Sequence, residues 1–303
     1  MIKVNGLNIN VNKFPDGTVC MLDFPDLDAT FTAFSSTDLQ FKISWFYDND
    51  SELVVLQYIV SHLRENYPDV KSFKLFMPYI PNARMDRVDP SCKSEQVFTL
   101  KYFANIINSM HFDKVYVLDP HSSVSVALIN NVVEYPVYDI IDDVITNIKS
   151  FNNKPELDIV IYTPDAGAYK RYSSLLKNLG LPFIYGEKMR DFATGKIEGL
   201  RIITNGLDLK AKTILMIDDI IAYGGTFYYS AQELRKMGVG KIYAYATHTE
   251  NSILELDTKS NVEGVLKSKF LKMIYMNEVE KLYTTNTIFR GHSDDSHITV
   301  IPI

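Results

Sequence analysis

An α/β fold arranged as two units of similar size is predicted by three observations. Short apolar runs recur along the chain, separated by stretches whose apolar residues fall at helical spacing. Some of these runs lack polar alternation, as at 213–217 (Thr-Ile-Leu-Met-Ile), which suits strands covered on both faces of a mainly parallel sheet. Charged residues, prolines and glycines gather where the runs end, and ligands of open α/β sheets sit at those carboxyl ends.

The elements follow in order. Residues 1–22 alternate apolar and polar around Phe14-Pro15-Asp16-Gly17-Thr18, and Pro-Asp-Gly between two such arms predicts a hairpin. A strand over 41–47 leads to a helix over 51–64. There Leu53, Val54, Leu56, Ile59, Val60 and Leu63 recur near a 3.6-residue period, with Asp50 or Ser51 to cap the start. A second strand, 73–77, enters Pro78-Tyr79-Ile80-Pro81-Asn82-Ala83-Arg84-Met85-Asp86-Arg87, a loop by its prolines and charges. Residues 95–110 read as a helix and 114–118 as a strand ending in Asp119-Pro120-His121. The composition turns polar around 152–156, which sets the break inside 138–155 and divides the chain as 1–145 and 146–303. The second unit begins with a strand over 158–162, then Thr163-Pro164-Asp165-Ala166-Gly167 and a helix to Asn178. Further strands are expected over 183–185, 197–203, 213–217, 241–247 and 281–284, with a helix over 227–237 closed by Gly238.

A chain of 303 residues, 46% hydrophobic, is long enough for two cores. The net charge of −6 and the lack of a basic block argue against a general nucleic-acid surface and leave a small anion as the expected partner. Cys20 and Cys92 form neither a disulfide framework nor a metal-ligand spacing, which suits a reducing compartment. No leader pattern opens the chain and no apolar run approaches a membrane span, so a cytoplasmic protein with no membrane partner is expected. Abundant Asn, Lys, Ile and Tyr suit an AT-rich genome such as that of a phage.

The chemistry concentrates in 213–226. Neighbouring strand residues face opposite ways, so Asp218 and Asp219 at a strand end cannot both enter the core and are expected to face a ligand. Gly224 and Gly225 remove Cβ atoms at a tight turn, and Thr226 opens a helix whose first N–H groups can hold a phosphate. Such a site suits a ligand with hydroxyls at one end and a phosphate at the other, as in a ribose 5-phosphate unit. A surface loop after a buried strand is the structural alternative. The other clusters also have one. Arg84, Asp86 and Arg87 suit a polyphosphate or a surface ion-pair knot. Asp119-Pro120-His121 also suits a turn closed by a satisfied histidine, and Asp165 a helix cap. Lys188 and Arg190, before Asp191-Phe192-Ala193-Thr194-Gly195, suit a lid meeting phosphate charge or a solvated basic turn.

The stretch Asp218-Asp219-Ile220-Ile221-Ala222-Tyr223-Gly224-Gly225-Thr226 resembles the Asp-Asp-x-x-Asp-Thr-Gly-Gly-Thr ribose-phosphate loop of type I phosphoribosyltransferases and, more closely, of phosphoribosyl diphosphate (PRPP) synthetases. The other clusters resemble the synthetase motifs in family order over nearly the whole chain. Phe-Pro-Asp-Gly is similar to the adenine-contacting hairpin, Pro-Tyr-x-x-x-Ala-Arg-x-Asp-Arg to the ATP loop, and Asp-x-His to the metal and triphosphate loop. Pro-Asp-Ala-Gly-x-x-Lys-Arg is similar to the second-domain loop and Lys-x-Arg to the catalytic lid. Thr247-His248 and Thr285-Asn286-Thr287-Ile288 resemble the C-terminal part.

The resemblance implies two type I phosphoribosyltransferase-like domains in a homodimer or higher homo-oligomer, with Phe14 and Asp16 acting at a neighbour's adenine site. It implies transfer of the β,γ-diphosphate of ATP to the anomeric hydroxyl of a 5-phosphorylated ribose, with Mg²⁺ as cofactor. ATP is then held by Phe14, Asp16, Arg84, Asp86 and His121. Asp165, Asp218 and Asp219 hold the acceptor ribose, Ala222, Tyr223, Gly224, Gly225 and Thr226 its 5-phosphate. Lys188, Arg190 and His121 serve catalysis, and His121, Asp165, Asp218 and Asp219 are the metal ligands. A phosphoribosyltransferase, or a non-catalytic regulatory partner of the synthetase, is the alternative function.

Departures from the family pattern qualify the substrate. Ala222-Tyr223 replaces Asp-Thr, Thr18 follows Phe-Pro-Asp-Gly in place of Glu, and Met85 replaces a Gln. The thirteen residues before Phe14 leave no room for the family's first strand and helix. Ala222 removes a charge and Tyr223 adds an aromatic face where the 5-phosphate sits, which favours a larger 5-substituent. ADP-ribose, the acceptor that the resemblance to some phage relatives implies, has that form, so the two expected acceptors are ribose 5-phosphate and ADP-ribose.

Overall fold

The computed structural model describes residues 1–25, 27, 39–88, 95–190, 197–255, 268–291 and 297–303. They divide into two compact units, Met1–Pro136 and Val137–Ile303.

In the first unit, β1 (Ile2–Val4) and β2 (Leu7–Asn8) are joined at Asn5-Gly6. Both turn residues have positive φ, 47° and 85°, as a two-residue type I′ hairpin requires. The expected hairpin is the ribbon β3 (Asn10–Lys13) and β4 (Val19–Asp23), with Phe14-Pro15-Asp16-Gly17-Thr18 at its tip. Then come β5 (Gln40–Trp45), α1 (Ser51–Asn66), β6 (Ser72–Phe76), α2 (Thr99–Ser109), β7 (Lys114–Leu118), α3 (Ser123–Leu128) and β8 (Val132–Tyr135). The sheet runs β2-β1-β5-β6-β7-β8, parallel from β5 to β8, with β1 antiparallel to β5. A first strand therefore does fit ahead of Phe14. Three residues suffice, because β1 pairs on one side with β5, from Ile2↔Trp45 to Val4↔Ile43, and on the other with β2. Helix α1 lays Val55, Leu56, Ile59, Val60 and Leu63 into a core with Phe41, Ile43, Phe73 and Leu75. Each such side chain contributes about 1.5–3 kcal/mol on burial. Helix α2 starts at Thr99 rather than 95, since residues 95–98 are not helical.

The second unit holds α4 (Tyr138–Phe151), β9 (Ile159–Thr163), α5 (Ala166–Leu179), β10 (Phe183–Arg190), β11 (Ile197–Ile203), β12 (Thr213–Ile221), α6 (Gly225–Lys236), β13 (Ile242–Thr249), a 3₁₀ turn at Asn251–Leu254, α7 (Lys269–Tyr275), β14 (Lys281–Thr285) and β15 (Ile298–Ile301). The division after Pro136 lies upstream of the expected break after residue 145, because α4 belongs wholly to this unit. Tyr283 donates its hydroxyl to Asn147 Oδ1 at 2.8 Å, and Asn152, just past the helix, donates its amide to the Tyr243 hydroxyl at 2.9 Å.

The second sheet runs β11-β10-β9-β12-β13-β14-β15, parallel except for β11 against β10. Every residue of β9 and β13 is buried, as unalternated strands covered on both faces must be. From β9 the chain moves to β10 on one side, and from β12 to β13 on the other. The strand order thus reverses between β9 and β12, and the crevice beyond their carboxyl ends is where an open α/β sheet takes its ligand.

Candidate active site

The acid pair, Asp165 and the glycine turn all lie at this reversal. Strand β12 continues to Ile221, four residues past the expected end, so Asp218 and Asp219 sit within its last turn of pairing rather than beyond it. Both side chains are largely withdrawn from solvent, 18% and 3% exposed. They are reconciled by Arg171, on α5 beside the neighbouring strand. Its Nη2 lies 2.8 Å from Asp219 Oδ1 and 3.7 Å from Asp218 Oδ1. The Asp219 N–H donates to Asp218 Oδ1 at 3.0 Å. Burial, and then the Asp219 charge, push the Asp218 carboxyl well above its ordinary pKa, and Arg171 offsets only part of that rise. Arg171 is the last residue of the Pro-Asp-Ala-Gly-x-x-Lys-Arg stretch and carries no role in the motif reading above. The signal for it was available: a half-buried acid pair calls for a cation, and α5 carries Lys170 and Arg171.

Asp165 is the N-cap of α5, accepting from the Ala168 N–H at 2.9 Å through Oδ1. The cap role is thus present. Beneath the site the Tyr162 hydroxyl shares a 2.7 Å hydrogen bond with Ser230, and burial pushes its phenol pKa upward. Gly186 permits β10 to lie close, since a Cβ there would stand 2.5 Å from both the Pro164 carbonyl and the Tyr162 hydroxyl.

Gly224 is the N-cap of α6 at φ 74°, a left-handed conformation, and its backbone presses on α7: an added Cβ would meet Phe270 Cβ at 2.4 Å. Two α7 N–H groups, of Lys269 and Phe270, donate to the Tyr223 carbonyl at 2.9 and 3.2 Å. The turn is thereby fixed in place with the first N–H groups of α6 at its mouth. Ala222 and Gly225 are half-buried, and Tyr223 and Thr226 exposed. The Tyr223 hydroxyl donates to Glu255 Oε2 at 3.2 Å.

Lys188 and Arg190 are the closing residues of β10, which extends beyond the expected 183–185 because it pairs antiparallel with β11 from Tyr185↔Ile203 to Arg190↔Ile197. Their backbone belongs to a two-stranded ribbon, while their side chains and residues 191–196 lie outside the described residues.

In the first unit, Phe14 is 56% exposed at the hairpin tip. Asp16 accepts from Thr18 N at 2.9 Å and from Thr18 Oγ1 at 2.7 Å, which lowers its pKa. Arg84 and Asp86 occupy a loop anchored by buried Ile80 and Ala83, with Arg84 exposed and Asp86 half-buried. That loop leaves β6 beside the exit of β7, because Leu118 N donates to the Pro78 carbonyl at 3.0 Å. Asp119, 6% exposed, adopts φ 44° ahead of Pro120, and half-buried His121 follows. A buried non-glycine residue in that region carries a local cost of about 1–3 kcal/mol, a feature concentrated at functional sites.

The acid pair feeding a glycine turn at a sheet's switch point defines a phosphoribosyltransferase-type α/β unit, and residues 136–282 match the family described as "Phosphoribosyl transferase domain". The ribose-phosphate pyrophosphokinase of Thermococcus kodakarensis is 27% identical over 296 residues, covering 98% of this chain and 90% of that protein. That of Pyrococcus furiosus is 26% identical over 297 residues, covering 97% and 90%. The crystal structure of phosphoribosylpyrophosphate synthetase from Mycobacterium smegmatis superposes with a TM-score of 0.70 at 18% identity, covering 97% of this chain and 86% of that one. Residues 136–282 thus carry a phosphoribosyl transferase domain, and the chain is a transferase similar over nearly its whole length to ribose-phosphate pyrophosphokinases (PRPP synthetases).

Proposed function

We propose that this protein transfers the β,γ-diphosphate of ATP to the anomeric hydroxyl of a 5-phosphorylated ribose and releases AMP. The observation that carries the reading is the second-unit site, where Asp218 and Asp219, Arg171 and the Gly224-Gly225 turn meet at the β9–β12 reversal. Ribose 5-phosphate is the acceptor suggested by the names of the relatives.

In this reading the anomeric oxygen attacks the β-phosphorus, the bond from that phosphorus to the α,β-bridging oxygen breaks, AMP leaves with that oxygen and the bonding pair, and the hydroxyl proton passes to solvent. The protein's part is positioning and charge stabilisation. Asp218 and Asp219 hold the ribose hydroxyls, and the α6 N-terminus with Ala222, Tyr223, Gly224, Gly225 and Thr226 takes the 5-phosphate. Lys188 and Arg190 meet the transferred group. Arg84, Asp86 and His121 hold ATP, and exposed Phe14 with Asp16 serves the adenine of a neighbouring copy in a homo-oligomer. Among the described residues no cluster of three or more His, Cys, Asp or Glu is preassembled. The paired carboxylates nevertheless fit Mg²⁺, which takes one or two carboxylates and completes its shell with phosphate oxygens and water. In the same unit Asp165 is a further candidate ligand, and in the first unit His121 is a candidate of its own. When bound, the ion neutralises phosphate charge. Action in the cytoplasm is part of the same proposal. No helix among the described residues is long and apolar enough to cross a membrane.

A second acceptor, ADP-ribose, is favoured by Ala222 and by the exposed Tyr223 ring, held at its hydroxyl by Glu255 beside the phosphate turn. The test is AMP formation from ATP and Mg²⁺ with each acceptor, compared as kcat/KM. AMP release with at least one is expected, and none with either refutes the diphosphokinase reading. Ala222→Asp with Tyr223→Thr should shift preference toward ribose 5-phosphate, because it crowds and charges the space beyond the first phosphate. An unchanged ratio removes these residues from acceptor choice.

A further inference from the structure

Beside the glycine turn, α7 contributes a cation that none of the site motifs includes. The Lys269 N–H donates to the Tyr223 carbonyl at 2.9 Å, and its stem passes the turn, with Cδ 3.9 Å from where a Gly225 Cβ would stand. Its ammonium donates to the Tyr229 hydroxyl at 2.6 Å and lies 4.3 Å from the Tyr229 ring centroid and 5.8 Å from that of Tyr228. Tyr229 is 52% exposed and Tyr223 37% exposed, so two aromatic faces and one positive charge border the mouth of the turn. Glu255 accepts a hydrogen bond from the Tyr223 hydroxyl at 3.2 Å.

A lysine on a four-carbon stem carries three rotatable donors and can leave a tyrosine hydroxyl for a more strongly charged acceptor. A ring such as that of Tyr229 offers a planar base a stacking face. The N-terminal N–H groups of α6 suffice for one phosphate, so a cation reaching past that turn from α7 suits a second.

We propose that Lys269, with Tyr229 beside it, forms a subsite for a second phosphate and an attached planar group on the acceptor's 5-substituent. This rests on the diphosphokinase reading for where the first phosphate sits, and it assigns specificity to a residue outside the ribose-phosphate loop. The test is calorimetric binding of ribose 5-phosphate and of ADP-ribose to the full-length wild type and to Lys269→Met, which retains an apolar stem. The variant should weaken ADP-ribose at least tenfold relative to ribose 5-phosphate, and the loss should shrink as salt is raised. Lys269→Gln, which keeps a hydrogen-bond donor without the charge, should fall between the two. Equal weakening of both ligands, no change in their ratio, or no ADP-ribose binding by wild type overturns the subsite. Turnover is scored separately. Absence of AMP with either acceptor counts against the diphosphokinase reading, while the binding ratio still decides the role of Lys269.

Discussion

Replacing each acid of the pair by its amide should shift stability in opposite directions. Strand-end repulsion alone predicts that neutralising either acid is harmless, but Arg171 separates the two cases. Asp219→Asn removes the partner 2.8 Å from a guanidinium that is only 22% exposed. Breaking a buried ion pair from one side costs about 3–5 kcal/mol, and the Asp218 carboxylate remaining at 3.7 Å brings this to roughly 2–3 kcal/mol. For a domain of about 150–250 residues that lowers Tm by roughly 4–12 °C. Asp218→Asn acts the other way. Burial and the Asp219 charge raise the Asp218 pKa in the folded protein above its ordinary 3.8. The native state therefore holds this proton more tightly than the unfolded chain, so stability declines as pH rises from 3.8 through the raised value and levels off above it. The amide escapes that decline. In metal-free buffer Asp218→Asn should melt above wild type at neutral pH, and the difference should close toward about pH 4. Circular dichroism melting across that range is the assay. An Asp219→Asn protein melting at or above wild type, or an Asp218→Asn protein melting below it at every pH, refutes the assignment of Arg171 to Asp219.

Two further outcomes are expected. Lys188→Ala should lower kcat by about 10²-fold or more with little change in KM, the scale for loss of one preorganised donor in a transition state; steady-state AMP release is the measurement, and unaffected turnover removes Lys188 from the reaction. Gly186→Ala should cost about 1–3 kcal/mol in urea denaturation, because its Cβ would stand 2.5 Å from a backbone carbonyl and a buried phenol; an unchanged midpoint would show that β10 can shift away from β9.

Much of the second sheet was legible because fully covered parallel strands write themselves as uninterrupted apolar runs. Thr213 to Ile217 and Ile242 to Ala246 are such runs, and every residue of β13 is buried. The expected end of β10 at 185 failed for a tertiary reason: Gly186, Glu187 and Lys188 have little strand preference and are held by pairing with β11. In the first unit, Asn5-Gly6 is the strongest short hairpin signal of all, yet the arms beside it are only three and two residues long. Helix α4 spaces Ile141, Val144, Ile145 and Ile148 on one face, but the polar run after it drew the expected domain break into the helix itself.

The site shows where local reading stops. Strand alternation correctly forbids two adjacent carboxylates from sharing one apolar face, and from that premise a shared exposure to ligand follows. The premise omits a counter-ion. Arg171 lies 48 residues before Asp219, and only the placement of β9 directly beside β12 brings α5 within reach. The register Met216↔Tyr162 places the acids just beyond the last paired residues of β9, at the start of its helix. An acid can therefore be buried at that point if the helix supplies a cation. Strand order is a property of the whole sheet, so the residue that anchors one acid of the pair and leaves its neighbour poised for a proton or a metal was visible in the sequence only as one more basic residue near a helix start.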